Sequence, residues 1–167
     1  MSRIQRIMPN LWFNCNAEEA ASYYVSIFDN SSINRIIRYG KAGHDVHGKE
    51  AGTVMTVEFT LDGLQFVGLN GGPNFNFNEA ISLIVNCINQ DEIDYYWDRL
   101  SDEGDLNAQK CGWLKDKYGV SWQIVPADLH DMLSDPDTEM VHNVMNELFK
   151  MKKIDIKTLK EAYELVV

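Results

Sequence analysis

The chain has 167 residues, 45% apolar and 11% aromatic, enough to build a core in one domain or in two small modules. A formal charge of −10 argues against nucleic acid or an anionic membrane as partner, because phosphate binding draws on Lys and Arg. No run is long and apolar enough to span a bilayer or act as a secretory signal. Three cysteines in or beside apolar runs (Cys15, Cys87, Cys111) fit reduced thiols of a cytoplasmic protein better than a disulfide framework.

In chain order, residues 7–14 read as a strand, and Asn16 with Glu19 has the spacing of a capping box opening a helix. Ala20, Tyr24, Ile27 and Phe28 give that helix its apolar side. Residues 33–39 read as a second strand, followed by a polar, glycine-rich loop to Gly52. Residues 53–61 alternate, with Met55, Val57, Phe59 and Leu61 set against Thr56, Glu58 and Thr60. Asp62-Gly63 then turns the chain back into a strand over 64–70, so the first module is β-α-β-β-β.

The opening pattern returns. Asn14-Cys15 closes an apolar run with Tyr23-Tyr24 nine residues on, and Asn86-Cys87 with Tyr95-Tyr96 repeats this 72 residues later (86 − 14). After the Gly71-Gly72-Pro73 link, residues 80–87 read as the matching strand. Asn89 with Glu92 is again a cap, and Ile93, Tyr96, Trp97 and Leu100 supply a helix face. Shorter strands follow over 108–114 and 120–125, joined by a turn through Lys117-Tyr118-Gly119. The tail is helical in kind: a short helix or turn over 126–133, a helix starting at Asp135-Pro136, and a last one opened by Asp155. This divides the chain into modules at 1–72 and 73–126 and a helical extension at 127–167.

Strand parity separates two faces. Leu11 and Phe13, Ile81, Leu83 and Val85, and Trp122 and Ile124 form apolar faces suited to lying under helices. Opposite them, Asn10, Trp12, Ser82, Ile84 and Gln123 mix polar and bulky groups in a way that a dry core would not tolerate, and they read as the lining of a wet cavity, with a face in bulk solvent as the alternative.

The phrases A-E-E-A-x-x-Y-Y, L-N-G-G-P, F-N-E-A-I-S and C-G-W-L-K-D-K-Y-G-V-S-W-Q, with the K-M-K-K-I-D tail, resemble the vicinal-oxygen-chelate superfamily. The resemblance is to its PhnB-like branch, often labelled demethylubiquinone methyltransferase-like. It implies an α+β fold of two βαβββ modules forming a cupped mixed sheet, usually in a homodimer, with a small-molecule cavity and C-terminal helices appended. Metal-using members of that superfamily hold a divalent ion through side chains that here correspond to Asn10, Val67, Ser82 and Gln123. The repeat offset equates Asn10 with Ser82, and the hairpins equate Val67 with Gln123. Amide, hydroxyl and valine side chains are poor donors for such an ion, so no metal or other cofactor is expected there.

Among other candidates, Glu58, if desolvated in the cavity, would serve as a general acid or base, and Gln123 is the second catalytic candidate. Asn10, Trp12, Val67, Ser82, Ile84 and Trp113 are expected to line the pocket, Trp113 by stacking on a ligand. His44 and His47 flank Asp45 with spacing compatible with a metal clip, but they lie in a glycine-rich loop that reads first as polar and solvated. Three readings follow: a metal-independent enzyme, a binding or sequestering protein, or an enzyme whose metal is held elsewhere.

Overall fold

A computed structural model describes residues 4–165. The chain divides into two compact units, Met1–Asn76 and Phe77–Val167. The C-terminal helices belong to the second.

The first unit is a four-stranded sheet under one long helix. Its elements are β1 (Asn10–Phe13), α1 (Ala17–Ile27), β2 (Ser32–Arg38), the one-turn α2 (His44–His47), β3 (Val54–Leu61) and β4 (Leu64–Asn70), with strand order β1-β4-β3-β2. β1 runs parallel to β4; the other pairs are antiparallel. α1 buries Ala17, Ala20, Ala21, Tyr24 and Ile27, one stripe at helical spacing. Beneath it the sheet buries Phe13, Val57, Phe59, Leu61 and Phe66. Phe59 stacks against both Tyr24 and Phe66, and each such fully buried ring contributes on the order of 2–3 kcal/mol.

The expected cap of α1 is not the one that forms. Asn16 makes no side-chain capping bond. Instead Asn70, 6% exposed at the end of β4, accepts from the Ala17 N–H at 2.9 Å and donates to the Val54 carbonyl. An amide delivered by the sheet thus satisfies an orphan donor at the helix start.

The second unit contains β5 (Leu83–Cys87), α3 (Gln90–Leu100), a 3-10 turn (Leu106–Ala108), β6 (Trp113–Lys115), β7 (Ser121–Pro126), then α4 (Leu129–Leu133), α5 (Thr138–Leu148) and α6 (Ile156–Glu164). Its sheet has the order β5-β7-β6, with β5 parallel to β7. Asn89 caps α3 as expected, accepting from Glu92 N, while the Glu92 carboxylate reaches back to Ile88 N. The strand expected over 108–114 shrinks to three residues. Asp105 bonds Asn107 N to start the 3-10 turn, and Lys110 makes only an isolated bridge to Trp113. The helix expected to start at Asp135-Pro136 is capped instead by Asp137, which accepts from Glu139 and Met140 N–H groups.

Two parts of the second unit explain phrases singled out in the sequence. Asp116, 2% exposed, accepts from Tyr118 N, Val120 N and, at 2.8 Å, the Trp122 indole, so D-K-Y-G-V-S-W is one hydrogen-bonded turn. Cys111 N and Gly112 N donate to the Met151 and Lys152 carbonyls, which docks the K-M-K-K tail. Gly112, at φ +83°, has no space for a methyl group between Ile154 and the Ile124 carbonyl. The tail is held further by Gln90, which donates to Ile154 O and accepts from Ile156 N.

Candidate functional site

On the first unit, the sheet face turned away from α1 carries a row set by strand register. Asn10 lies opposite Val67, Val67 opposite Glu58, and Glu58 opposite Arg35. Arg35 Nε is 3.5 Å from a Glu58 carboxylate oxygen, with Glu58 one-third exposed. Glu58 is therefore a partnered, partly hydrated carboxylate. Trp12 stands on the same face, its indole N–H donating to Gly72 O at 2.8 Å and its ring edge-on to Phe75. A methyl group on Gly71 would fall within 2.2 Å of that ring, which accounts for the glycine in L-N-G-G-P. Trp12 thus supports the 71–75 loop within its own unit.

The corresponding face of the second unit repeats the row with different chemistry. Ile84 lies opposite Gln123, and Gln123 opposite Trp113. Register therefore makes Ile84, not Ser82, the counterpart of Asn10; the 72-residue offset is two residues short on this strand. Ser82 precedes β5 but is not lost from the face, because Gln123 Nε2 donates to its hydroxyl at 2.8 Å. One step along, Lys115 lies opposite Ser121 and pairs with Glu79. The hydrogen bond from Lys115 holds the Glu79 carboxyl below its ordinary value. All eight residues expected to line or work in the pocket thus fall on these two faces. Asn10, Trp12, Glu58 and Val67 gather in the first unit; Ser82, Ile84, Trp113 and Gln123 gather in the second.

A concave feature lies elsewhere. In the first unit a cleft of about 420 Å³ is lined by Asn14, Cys15, Glu18, Lys49, Glu50 and Thr53 among others, where α1 begins and the 48–54 segment passes. None of the eight expected residues lines it. The repeat drew attention to Asn14 and Cys15 as structural punctuation, and nothing in their spacing marks a cleft. Cys15 is exposed there, whereas Cys87 is buried and its thiol is pushed up to about 12 by desolvation.

The four side chains that the sequence resemblance aligned with metal ligands do not suit a metal. Asn10, Val67, Ser82 and Gln123 offer two amides, a hydroxyl and a valine, and exchanging Ser82 for Ile84 removes a further donor. Among the described residues no three His, Cys, Asp or Glu side chains gather as a metal site. The His44–His47 pair does not form a clip: His47 Nδ1 accepts from Lys49 N, and Nε2 lies 3.2 Å from the Ala42 carbonyl. Its ring packs 4.6 Å from that of Tyr39, so this histidine shapes the loop.

Residues 5–125 match the family described as 3-demethylubiquinone-9 3-methyltransferase. No curated protein matches the chain. A solved PhnB protein from Bacillus cereus is 39% identical, with 74% of this chain and 100% of that one covered and a TM-score of 0.62. Protein PA1353 from Pseudomonas aeruginosa is 18% identical over 72% of this chain and 96% of its own, at a TM-score of 0.57. The fosfomycin resistance protein FosX from Mesorhizobium loti is 10% identical over 80% and 100%, at 0.53. The last two bear on fold alone. Among the described residues no helix is long and apolar enough to cross a membrane.

Proposed function

The chain belongs to the 3-demethylubiquinone-9 3-methyltransferase family, the PhnB-like branch of the vicinal-oxygen-chelate superfamily, and from that premise we propose that it binds a small organic molecule against a helix-free sheet face, without a metal. The observation that carries this reading is the pair of matching rows, Asn10–Val67–Glu58 and Ile84–Gln123–Trp113, which strand register sets on the helix-free faces. Amides that donate and accept, one carboxylate and one indole ring suit a polar or aromatic ligand. Methyl transfer is not part of this proposal, because neither sheet is the doubly wound parallel array with a glycine-rich first turn that cradles a nucleotide-type cofactor.

Whether the bound molecule is transformed turns on Glu58. As a catalyst it would exchange a proton with the ligand, with its carboxylate positioned by the contact with Arg35. A thermal-shift screen of small polar and aromatic compounds tests the binding itself, since a ligand of the folded state raises the melting temperature. With a hit in hand, Glu58→Gln separates the cases. A binding protein keeps affinity and shows no turnover in either form; a catalyst keeps affinity and loses turnover on substitution. A hit whose stabilising effect survives both Asn10→Leu and Gln123→Leu would contradict the proposal.

The cleft at Cys15 and Lys49 supports a second reading, favoured by its concavity, since small-molecule sites are concave. Lys49→Met would then abolish the thermal shift and the row substitutions would not.

A further inference from the structure

In the second unit, residues 77–82 have no regular secondary structure and cross the helix-free face of the β6–β7 hairpin at three points. Phe77 lies 3.9 Å from where a methyl group on Gly119 would sit. Glu79 pairs with Lys115, and Ser82 accepts from Gln123. An Asn78 side chain accepting from Ala80 N shapes the bend between these points.

Ser121 also lies on this face. It is 2% exposed and its hydroxyl has no hydrogen-bond partner, although Lys115 stands directly opposite on β6. A buried hydroxyl left unpartnered is costly, and such groups mark the place of a water, an ion or a ligand atom. Around it the register sets Trp113 beside Gln123 and Lys115 beside Ser121, so a ring, a cation, a hydroxyl and an amide share one patch. The crossing segment already answers two of these. A carboxylate sits on the cation and a hydroxyl sits on the amide. Glu79 is 59% exposed while Lys115 is 21% exposed, so the acid can leave for water more readily than the base.

We propose that Trp113, Lys115, Ser121 and Gln123 form a subsite for a small planar carboxylate, which the 77–82 segment covers in the free protein with Glu79 as the internal stand-in. The ligand carboxylate displaces that of Glu79, takes both Lys115 and the Ser121 hydroxyl, and lays its ring against Trp113. This rests on the reading that the helix-free sheet faces are the binding faces, and it adds the charge and shape of the ligand.

The test uses benzoate and its neutral isostere benzamide, titrated into the full chain by calorimetry and by amide and indole NMR shifts. Glu79→Gln, an exposed substitution, should tighten benzoate about tenfold, equivalent to roughly 1.4 kcal/mol, and leave benzamide within about twofold. Lys115→Met placed on Glu79→Gln should erase the preference for benzoate, and Ser121→Ala on the same background should weaken benzoate about fivefold. The Trp113 indole should shift with benzoate. Benzoate affinity unchanged or weakened in Glu79→Gln overturns the proposal, as does a benzoate preference that survives Lys115→Met. Equal shifts at Gln123 and Ile84 by both probes, independent of Glu79, would reject the carboxylate subsite and leave the binding face standing. Shifts by neither probe on either sheet face would count against both.

Discussion

Lys115 and Ser121 face each other across the β6–β7 hairpin, yet the lysine is paired with Glu79 and the serine hydroxyl beside it is buried without a partner. One position therefore carries both a satisfied charge and an unsatisfied dipole. That imbalance is stable only if the rest of the fold tolerates it, and it makes the serine a place where stability and binding oppose one another.

Replacing that serine should stabilise the free protein. Ser121→Ala removes an unpartnered buried hydroxyl, and denaturant unfolding should show a gain of about 1 kcal/mol. A loss of similar size would mean the hydroxyl is already bonded in solution.

The start of α1 allows a contrast between two asparagines. Asn70→Ala leaves Ala17 N and the Val54 carbonyl without their partners in a buried setting, and should cost about 2 kcal/mol. Asn16→Ala, at the nominal cap position that makes no side-chain bond, should stay within about 0.5 kcal/mol. Equilibrium unfolding of the two variants checks the order, and a larger loss at Asn16 would reverse the assignment.

The cysteines should react in the order of their exposure. At pH 8 a thiol with its pKa pushed up to about 12 is ionised to about one part in ten thousand, and burial of Cys87 blocks access as well. Iodoacetamide should alkylate Cys15 in the native protein and spare Cys87 until denaturant is added. Mass spectrometry of the digested protein reads this directly; early labelling of Cys87 would show that β5 opens readily.

Much of this architecture is legible in the residues. The Asn-Cys and Tyr-Tyr repeat marks the two strand-to-helix corners, and the alternation in 53–61 separates Glu58 from the core face correctly. The Asn89–Glu92 cap forms as its spacing suggests. What failed did so where partners from far along the chain decide. Asn16 had the right spacing, but Asn70 arrives from β4 and takes the bond. Residues 80–82 continue an alternating pattern, yet β5 begins only at Leu83, opposite Trp122, and the preceding residues are held across the hairpin by Glu79 and Ser82. A constant offset equated Asn10 with Ser82, and only the pairing of β5 with β7 shows that Ile84 holds that place. The Cys15 cleft had no signal at all, because it depends on a glycine-rich loop whose path periodicity does not encode.

The most direct test is backbone amide shift mapping on the isotopically labelled protein, titrated with the strongest compound from the thermal-shift screen. The account predicts the largest shifts on a row, at Asn10, Glu58 and Val67 or at Ile84, Trp113 and Gln123. Shifts confined to Asn14, Cys15, Glu18, Lys49 and Thr53, with the rows unmoved, would contradict it.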